Sequence, residues 1–243
     1  MTKIVPTQSS PEISIAGKAR VVRMEMGQDS ARAQADLVFV IDTTGSMNDK
    51  IDGLIESCQS FVDKLAAKRI DWAAAVVGFG DLTVEGDRIV ATPFSSSADR
   101  VKALLGGLPR YSGGGNEGES SLEALQAALD QPGYRGGAMK VFVLITDEPA
   151  LQRKLRPSTI TGTLREAGAI TFVLSPNLKY FRAMATDTGC QWWKVDSGGD
   201  FSQILAVFEK IAAKVASTVA AVHMLAGGNV KDYMSLPPSQ REQ

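Results

Sequence analysis

The apolar positions of the chain fall into two alternating patterns. Leu37-Val38-Phe39-Val40-Ile41 is a continuous run that ends at Asp42, Val141–Ile145 is a second that ends at Thr146-Asp147, and Ile170–Leu174 is a third. Short continuous runs of this kind fit strands buried on both faces, as in a parallel sheet. Ala73–Phe79, ending in Gly80-Asp81, and Trp192–Val195 read as further strands. Between them the period changes. Met47, Ile51, Leu54, Ile55, Cys58, Phe61, Val62 and Leu65 recur at helical spacing, which predicts an amphipathic helix directly after the first strand. Ser97–Leu105, Glu119–Leu129, Ser158–Ala167 and Leu178–Thr186 are the other helical stretches.

Strand and helix alternating through short connections predict an α/β fold: a doubly wound, mostly parallel Rossmann-like sheet with helices on both faces. A last helix starts near Asp200 and carries Phe201, Ile204, Phe208, Ile211, Val215, Val222 and Leu225, with Thr218 as its one polar break. At 1.5 Å per residue it would run about 38 Å, longer than a sheet-covering helix needs. It reads as a terminal helix packed on the sheet, with a seam for a partner or a second copy as the alternative. The expected organisation is an N-terminal extension over 1–34 with a short hairpin around Gly17-Lys18, one domain over 35–226, and a disordered tail over 227–243 that holds Pro237-Pro238.

Composition narrows the function. Twenty-six basic and 27 acidic residues leave a net charge of −1, so the chain advertises no electrostatic footprint for nucleic acid or an anionic membrane. No stretch approaches the ~18 apolar residues of a membrane span, and two cysteines, Cys58 and Cys190, are too few for a disulfide scaffold or a zinc ribbon. A cytoplasmic protein is the expectation. Cys58 lies on an apolar helix stripe and reads as a small buried thiol. The single histidine, His223, lies in the last helix, far in sequence from any strand end, and removes most imidazole chemistry. Trp192-Trp193 on one strand must point to opposite faces.

In open α/β sheets ligands bind beyond the carboxyl ends of the strands, where strand order reverses. Three segments belong there: Asp42-Thr43-Thr44-Gly45-Ser46, Thr146-Asp147-Glu148, and the loop Ser112-Gly113-Gly114-Gly115-Asn116-Glu117-Gly118-Glu119-Ser120. A carboxylate with hydroxyls two and four residues later can converge around a tight turn at Gly45, and such oxygen ligands suit a hard cation such as Mg²⁺. Asp147 would come from a neighbouring strand and Glu119 from the glycine-rich loop. Alone, Asp42 or Ser46 would read as a helix N-cap worth about 1 kcal/mol. The convergence of three acidic segments on one sheet edge points instead to a metal.

Asp42-x-Thr44-x-Ser46 after an apolar strand resembles the Asp-x-Ser/Thr-x-Ser signature of the von Willebrand factor type A domain at its metal-ion-dependent adhesion site. Ile145-Thr146-Asp147 resembles that family's strand-Thr-Asp-Gly motif, with Glu148 in place of the glycine. Gly113–Glu119 resembles a Gly-Gly-Gly-Asp-x-Pro-Glu variant of the middle motif, similar to integrin β-subunits, with Asn116 for the aspartate and Gly118 for the proline. The resemblance covers about residues 35–220. It implies a Mg²⁺ ion, with Mn²⁺ or Ca²⁺ as alternatives, bound by Asp42, Thr44, Ser46, Glu119 and Asp147; Asn116, which shares the loop, and Asp81, which ends a neighbouring strand, are second-rank candidates by position. It also implies a protein partner that offers an Asp or Glu carboxylate to the metal. Stand-alone members of the family often serve as adaptors for ATPases or signalling enzymes.

Two other patterns overlap these residues. Gly113-x-Gly115-x-x-Gly118 fits a dinucleotide fingerprint, but it follows no buried strand, and Glu117 and Glu119 would face a pyrophosphate. Asp42-Thr43-Thr44-Gly45 also resembles the Asp-Lys-Thr-Gly of haloacid dehalogenase-type phosphoryl-transfer enzymes, with Asp42 as nucleophile and Asp147-Glu148 as the late magnesium motif. A long amphipathic helix stands where that class has a hairpin insertion. With no nucleophile–base pair in view, a non-enzymatic module is expected. Arg153-Lys154-Leu155-Arg156 beside Asp147 reads as solvated loop charge that could complement an acidic partner.

Overall fold

The computed structural model describes residues 34–66, 70–115, 118–195 and 201–241. Its centre is a six-stranded sheet in the order β3-β2-β1-β4-β5-β6. The strands are β1 (Gln34–Asp42), β2 (Asp71–Phe79), β3 (Ile89–Ala91), β4 (Met139–Ile145), β5 (Ala169–Ser175) and β6 (Trp192–Lys194). All neighbours pair in parallel except β3, which lies antiparallel to β2 at the edge. β3 has no counterpart in the sequence reading, because three half-exposed residues carry no periodicity.

The continuous apolar runs divide by parity, as two buried faces require. Leu37, Phe39 and Ile41 of β1, Val141, Val143 and Ile145 of β4, and Ile170, Phe172 and Leu174 of β5 face one apolar cluster. There they meet α1 (Asn48–Ala66), α2 (Ala98–Gly106), α6 (Phe201–Ala226) and α7 (Val230–Ser235). Val38, Val40, Phe142, Leu144 and Val173 face the other cluster, with α3 (Ser121–Asp130), α4 (Pro157–Glu166) and α5 (Lys179–Asp187). Phe61 of α1 meets Phe39 of β1 edge to face at 5.5 Å. Cys58 is fully buried on the same stripe. Trp192 and Trp193 divide between the two clusters. Trp193 stacks on Phe172, and the Trp192 indole N–H donates to Ser175 Oγ at 3.0 Å.

Val215, Thr218, Val219 and Val222 of α6 are buried, and the helix packs on α1. Met224 and Leu225 at its end are exposed. The expectation of a disordered tail is corrected: α7 and α8 (Pro238–Arg241) are helical. The Asn229 side chain caps α7 by accepting from the N–H groups of Lys231 and Asp232, and Val230 and Tyr233 bury against the core. The hairpin expected around Gly17-Lys18 lies outside the described residues. Among those described, no helix is long and apolar enough to cross a membrane.

At the opposite end of the sheet from the carboxyl strand ends, Arg135 ties the entries of β1 and β2 together. Its Nε donates to Asp36 Oδ1 and its backbone N–H to Asp36 Oδ2, both at 2.7 Å. Nη1 meets Asp71 Oδ1 at 2.7 Å, and Nη2 reaches the carbonyls of Ala35 and Asp71. The Asp36 side chain is 1% exposed.

Candidate metal centre

Strand order reverses between β1 and β4, where Ile41 pairs with Ile145, so Asp42 and Thr146-Asp147 emerge side by side at the switch point. Asp42 is fully buried. Its Oδ1 accepts from the Thr44 N–H at 3.0 Å and the Thr44 hydroxyl at 2.7 Å, and its Oδ2 accepts from the Thr146 hydroxyl at 2.7 Å. The chain then turns through Gly45–Met47 as a 3₁₀ turn into α1. That turn brings Ser46 Oγ to 3.3 Å from Thr44 Oγ1 and to 2.8 Å from Asp147 Oδ1, to which it donates. Lys50, in the first turn of α1, places Nζ 2.7 Å from Asp147 Oδ2.

Glu119 arrives differently from expectation. It does not open α3 but precedes it, in a parallel bridge with Ala150. Its N–H donates to the Pro149 carbonyl, and its carbonyl accepts from the Leu151 N–H, both at 2.8 Å. Gly118 makes this approach possible: φ is +144°, and a Cβ there would stand 2.3 Å from the Pro149 carbonyl oxygen. A Cβ on Gly113 would meet Glu119 Oε1 at 2.9 Å and Thr44 Cβ at 3.1 Å, so the glutamate and the threonine close on the same glycine. Glu119 Oε2 is buried with no hydrogen-bond partner.

Thr44, Ser46 and Glu119 line a cleft of about 200 Å³ together with Gly45, Ser112, Gly113, Gly115, Gly118 and Glu148. A larger cleft of about 550 Å³ lies at the other end of the sheet, between α4, α5 and α7; none of its lining residues carries an orphaned buried side-chain atom. The smaller cleft is electrostatically expensive. Burial pushes the Asp42 carboxyl up to about 6 against the hydrogen bonds from Thr44 and Thr146, and the charge of Asp147 adds to the rise. Burial, then the charges of Asp42, Asp81, Asp87 and Glu148, push Glu119 up to about 8. Glu148 is raised by burial and by Asp147.

The structure thus brings Asp42, Thr44, Ser46 and Asp147 into one hydrogen-bonded group, with Glu119 on the same cleft. Asp81 is buried, its Oδ1 accepts from the N–H and hydroxyl of Thr83, and its charge bears on Glu119. Asn116 lies outside the described residues. Sequence reasoning named Thr146 in its strand-end motif without giving it a role, and it missed Lys50 and Asp87. Asp87 accepts from the N–H groups of Asp81, Ser112 and Gly113 and so fixes the start of the glycine-rich loop. Only Thr146, directly after an apolar strand, carried a readable signal.

As a ligand set the group is all oxygen, which fits a hard cation. The orphaned Glu119 Oε2 is what such an ion would satisfy, since a buried polar atom without a partner costs about 1–3 kcal/mol. Among the described residues no three His, Cys, Asp or Glu side chains form a metal cluster by themselves. The hydroxyls of Thr44 and Ser46 stand between the carboxylates.

The family profile described as von Willebrand factor A domain matches residues 36–224. Among solved structures, proximal thread matrix protein 1 from the mussel byssus is similar with a TM-score of 0.58 and 17% identity, over 76% of this chain and 47% of that one. The same protein with a zinc-occupied MIDAS motif gives 0.57 and 18%, over 75% and 46%. This chain spans about half the length of those relatives, and at such identity the likeness is one of fold. No curated protein matches the sequence.

Proposed function

The chain belongs to the von Willebrand factor A domain family, and from that premise we propose that it is a metal-dependent protein-interaction module. One divalent ion, Mg²⁺ by default, is held through Thr44 and Ser46, with Asp42, Asp147 and Glu119 contributing directly or through water. The observation that carries this reading is the orphaned, buried carboxylate oxygen of Glu119 beside two hydroxyls already aligned by Asp42 and Asp147. Neutral hydroxyl ligands quench little of the ion's charge. The ion therefore favours one further anionic ligand, an Asp or Glu carboxylate on the partner. Zinc in the MIDAS motif of the byssus protein supports a divalent ion at such a site. A cytoplasmic adaptor for an ATPase or a signalling enzyme remains the kind of role the family resemblance favours.

Calorimetric titration of chelator-stripped protein with Mg²⁺ and Mn²⁺ tests the metal. One site is expected, with affinity reduced at least about 100-fold by Asp42→Ala while far-ultraviolet circular dichroism is unchanged. Equal binding by that variant overturns the assignment. For the partner, capture from a cell extract should fail in chelator and with Asp147→Ala; capture that survives both places the interface elsewhere.

The reading is non-enzymatic. Both oxygens of Asp42 accept hydrogen bonds from hydroxyls, Thr44 on Oδ1 and Thr146 on Oδ2, which leaves neither disposed to attack phosphorus as a nucleophile. A panel of phosphatase substrates is expected to give no Asp42-dependent turnover.

A further inference from the structure

Lys50 stands where helix energetics disfavour it. It is the third residue of α1, in the turn where the helix dipole repels a cation, and it is 6% exposed, which few lysines are unless paired. Among its partners are Asp147, 2.7 Å away, and the Ser46 carbonyl at 3.5 Å. Both oxygens of Asp147 are therefore engaged, Oδ1 by the Ser46 hydroxyl and Oδ2 by the ammonium. The acid groups of Glu119 and Glu148 line the cleft beside this pair, and the positive charge of Lys50 reaches Glu148.

We propose that Lys50 is a resident counter-cation of Asp147, sharing that carboxylate with the divalent ion and so weakening the ion's hold. The inference rests on the metal reading above. An ion that reaches Asp147 meets a carboxylate already neutralised by a buried ammonium, in surroundings that screen charge poorly. The ammonium and the ion repel each other. The occupied site also carries one more positive charge than its oxygen ligands alone would leave, and a partner's carboxylate gains from that charge. A purely structural role, stitching α1 to the end of β4, predicts the opposite response: removing Lys50 would loosen Asp147 and weaken metal binding.

The two roles differ in sign, so one titration separates them. Full-length, chelator-stripped protein is titrated with Mn²⁺ as wild type, Lys50→Met, Lys50→Gln and Lys50→Arg. The neutral variants are expected to bind Mn²⁺ at least tenfold more tightly than wild type, and Lys50→Arg within about threefold of it. Unchanged or weaker binding by the neutral variants, with Asp42→Ala still abolishing wild-type binding, overturns the role of Lys50 and leaves the metal reading intact. Absence of Mn²⁺ binding in every variant, wild type included, overturns both. Should a neutral variant be too unstable to titrate, the rise in its thermal midpoint at saturating Mn²⁺ replaces the titration. A larger rise than in wild type supports the proposal, and an equal or smaller one overturns it.

Discussion

Arg135→Met is expected to lower stability by about 3 kcal/mol, or roughly 6–12 °C in thermal midpoint for a chain of this size. The loss comes mainly from what is left behind. Asp36 would keep a buried carboxylate with its guanidinium partner removed, and breaking a buried pair from one side costs far more than the pair contributes when intact. The guanidinium itself is 31% exposed, which places the figure at the low end of the range for such changes. Asp36→Asn should cost less, because the amide keeps an acceptor for the Arg135 backbone N–H. Urea unfolding of both variants measures this, and a loss below 1 kcal/mol for Arg135→Met would show the cluster to be dispensable. Asp36 and Asp42 are six residues apart on β1, about 20 Å, so Mn²⁺ affinity should not change in either variant.

The second large effect is a pH dependence whose direction depends on metal. Asp42 and Glu119 have folded-state values of about 6 and about 8, above their ordinary 3.8 and 4.5. The folded chain therefore holds more protons than the unfolded chain between those limits, and without metal its stability falls as pH rises through them. Asp42 alone, raised by about two units, accounts for a loss of about 3 kcal/mol, most of it between about pH 4 and 6, and Glu119 extends the fall to about pH 8. In chelator the thermal midpoint is expected to drop by several degrees between about pH 4 and 8. With saturating Mg²⁺ the ion stabilises the ionised carboxylates, and the midpoint should hold or rise over the same interval. A chelated protein with a flat profile would mean that the two carboxylates are not titrating as buried groups.

The parts readable from sequence were those whose signal is local. β1, β4 and β5 are buried on both faces, so every residue of each run is apolar and the period is unmistakable. Asp42, Thr44, Ser46 and Asp147 were readable because each follows such a run within a few residues. Lys50 was not, since a lysine four residues after Ser46 looks like the solvated face of an amphipathic helix; only the fold brings Asp147 to it across 97 residues. Asp87 pins the glycine-rich loop from a hairpin whose second strand is three residues long, and nothing near it in sequence marks that task. Glu119 was identified as a site residue but placed in a helix, because its pairing with Ala150 is a contact between distant loops. The C-terminal residues were misread for a different reason: Pro237-Pro238 and the polar composition masked an Asn229 cap and two buried side chains.

The bridge between Glu119 and Ala150 has a practical bearing on engineering. Two backbone hydrogen bonds sew the end of the glycine-rich loop to the loop that follows Asp147, and the Tyr180 hydroxyl accepts from the Ala150 N–H at 2.9 Å to seat the seam on α5. Residues 118–119 and 148–151 are therefore a single cassette in two pieces of chain. Transplanting either piece alone onto a related scaffold would leave half of the seam unmatched and Glu119 without its bearing. Exchanged together, with Tyr180, they carry their own alignment, and partner preference could be altered without touching the strands that support them.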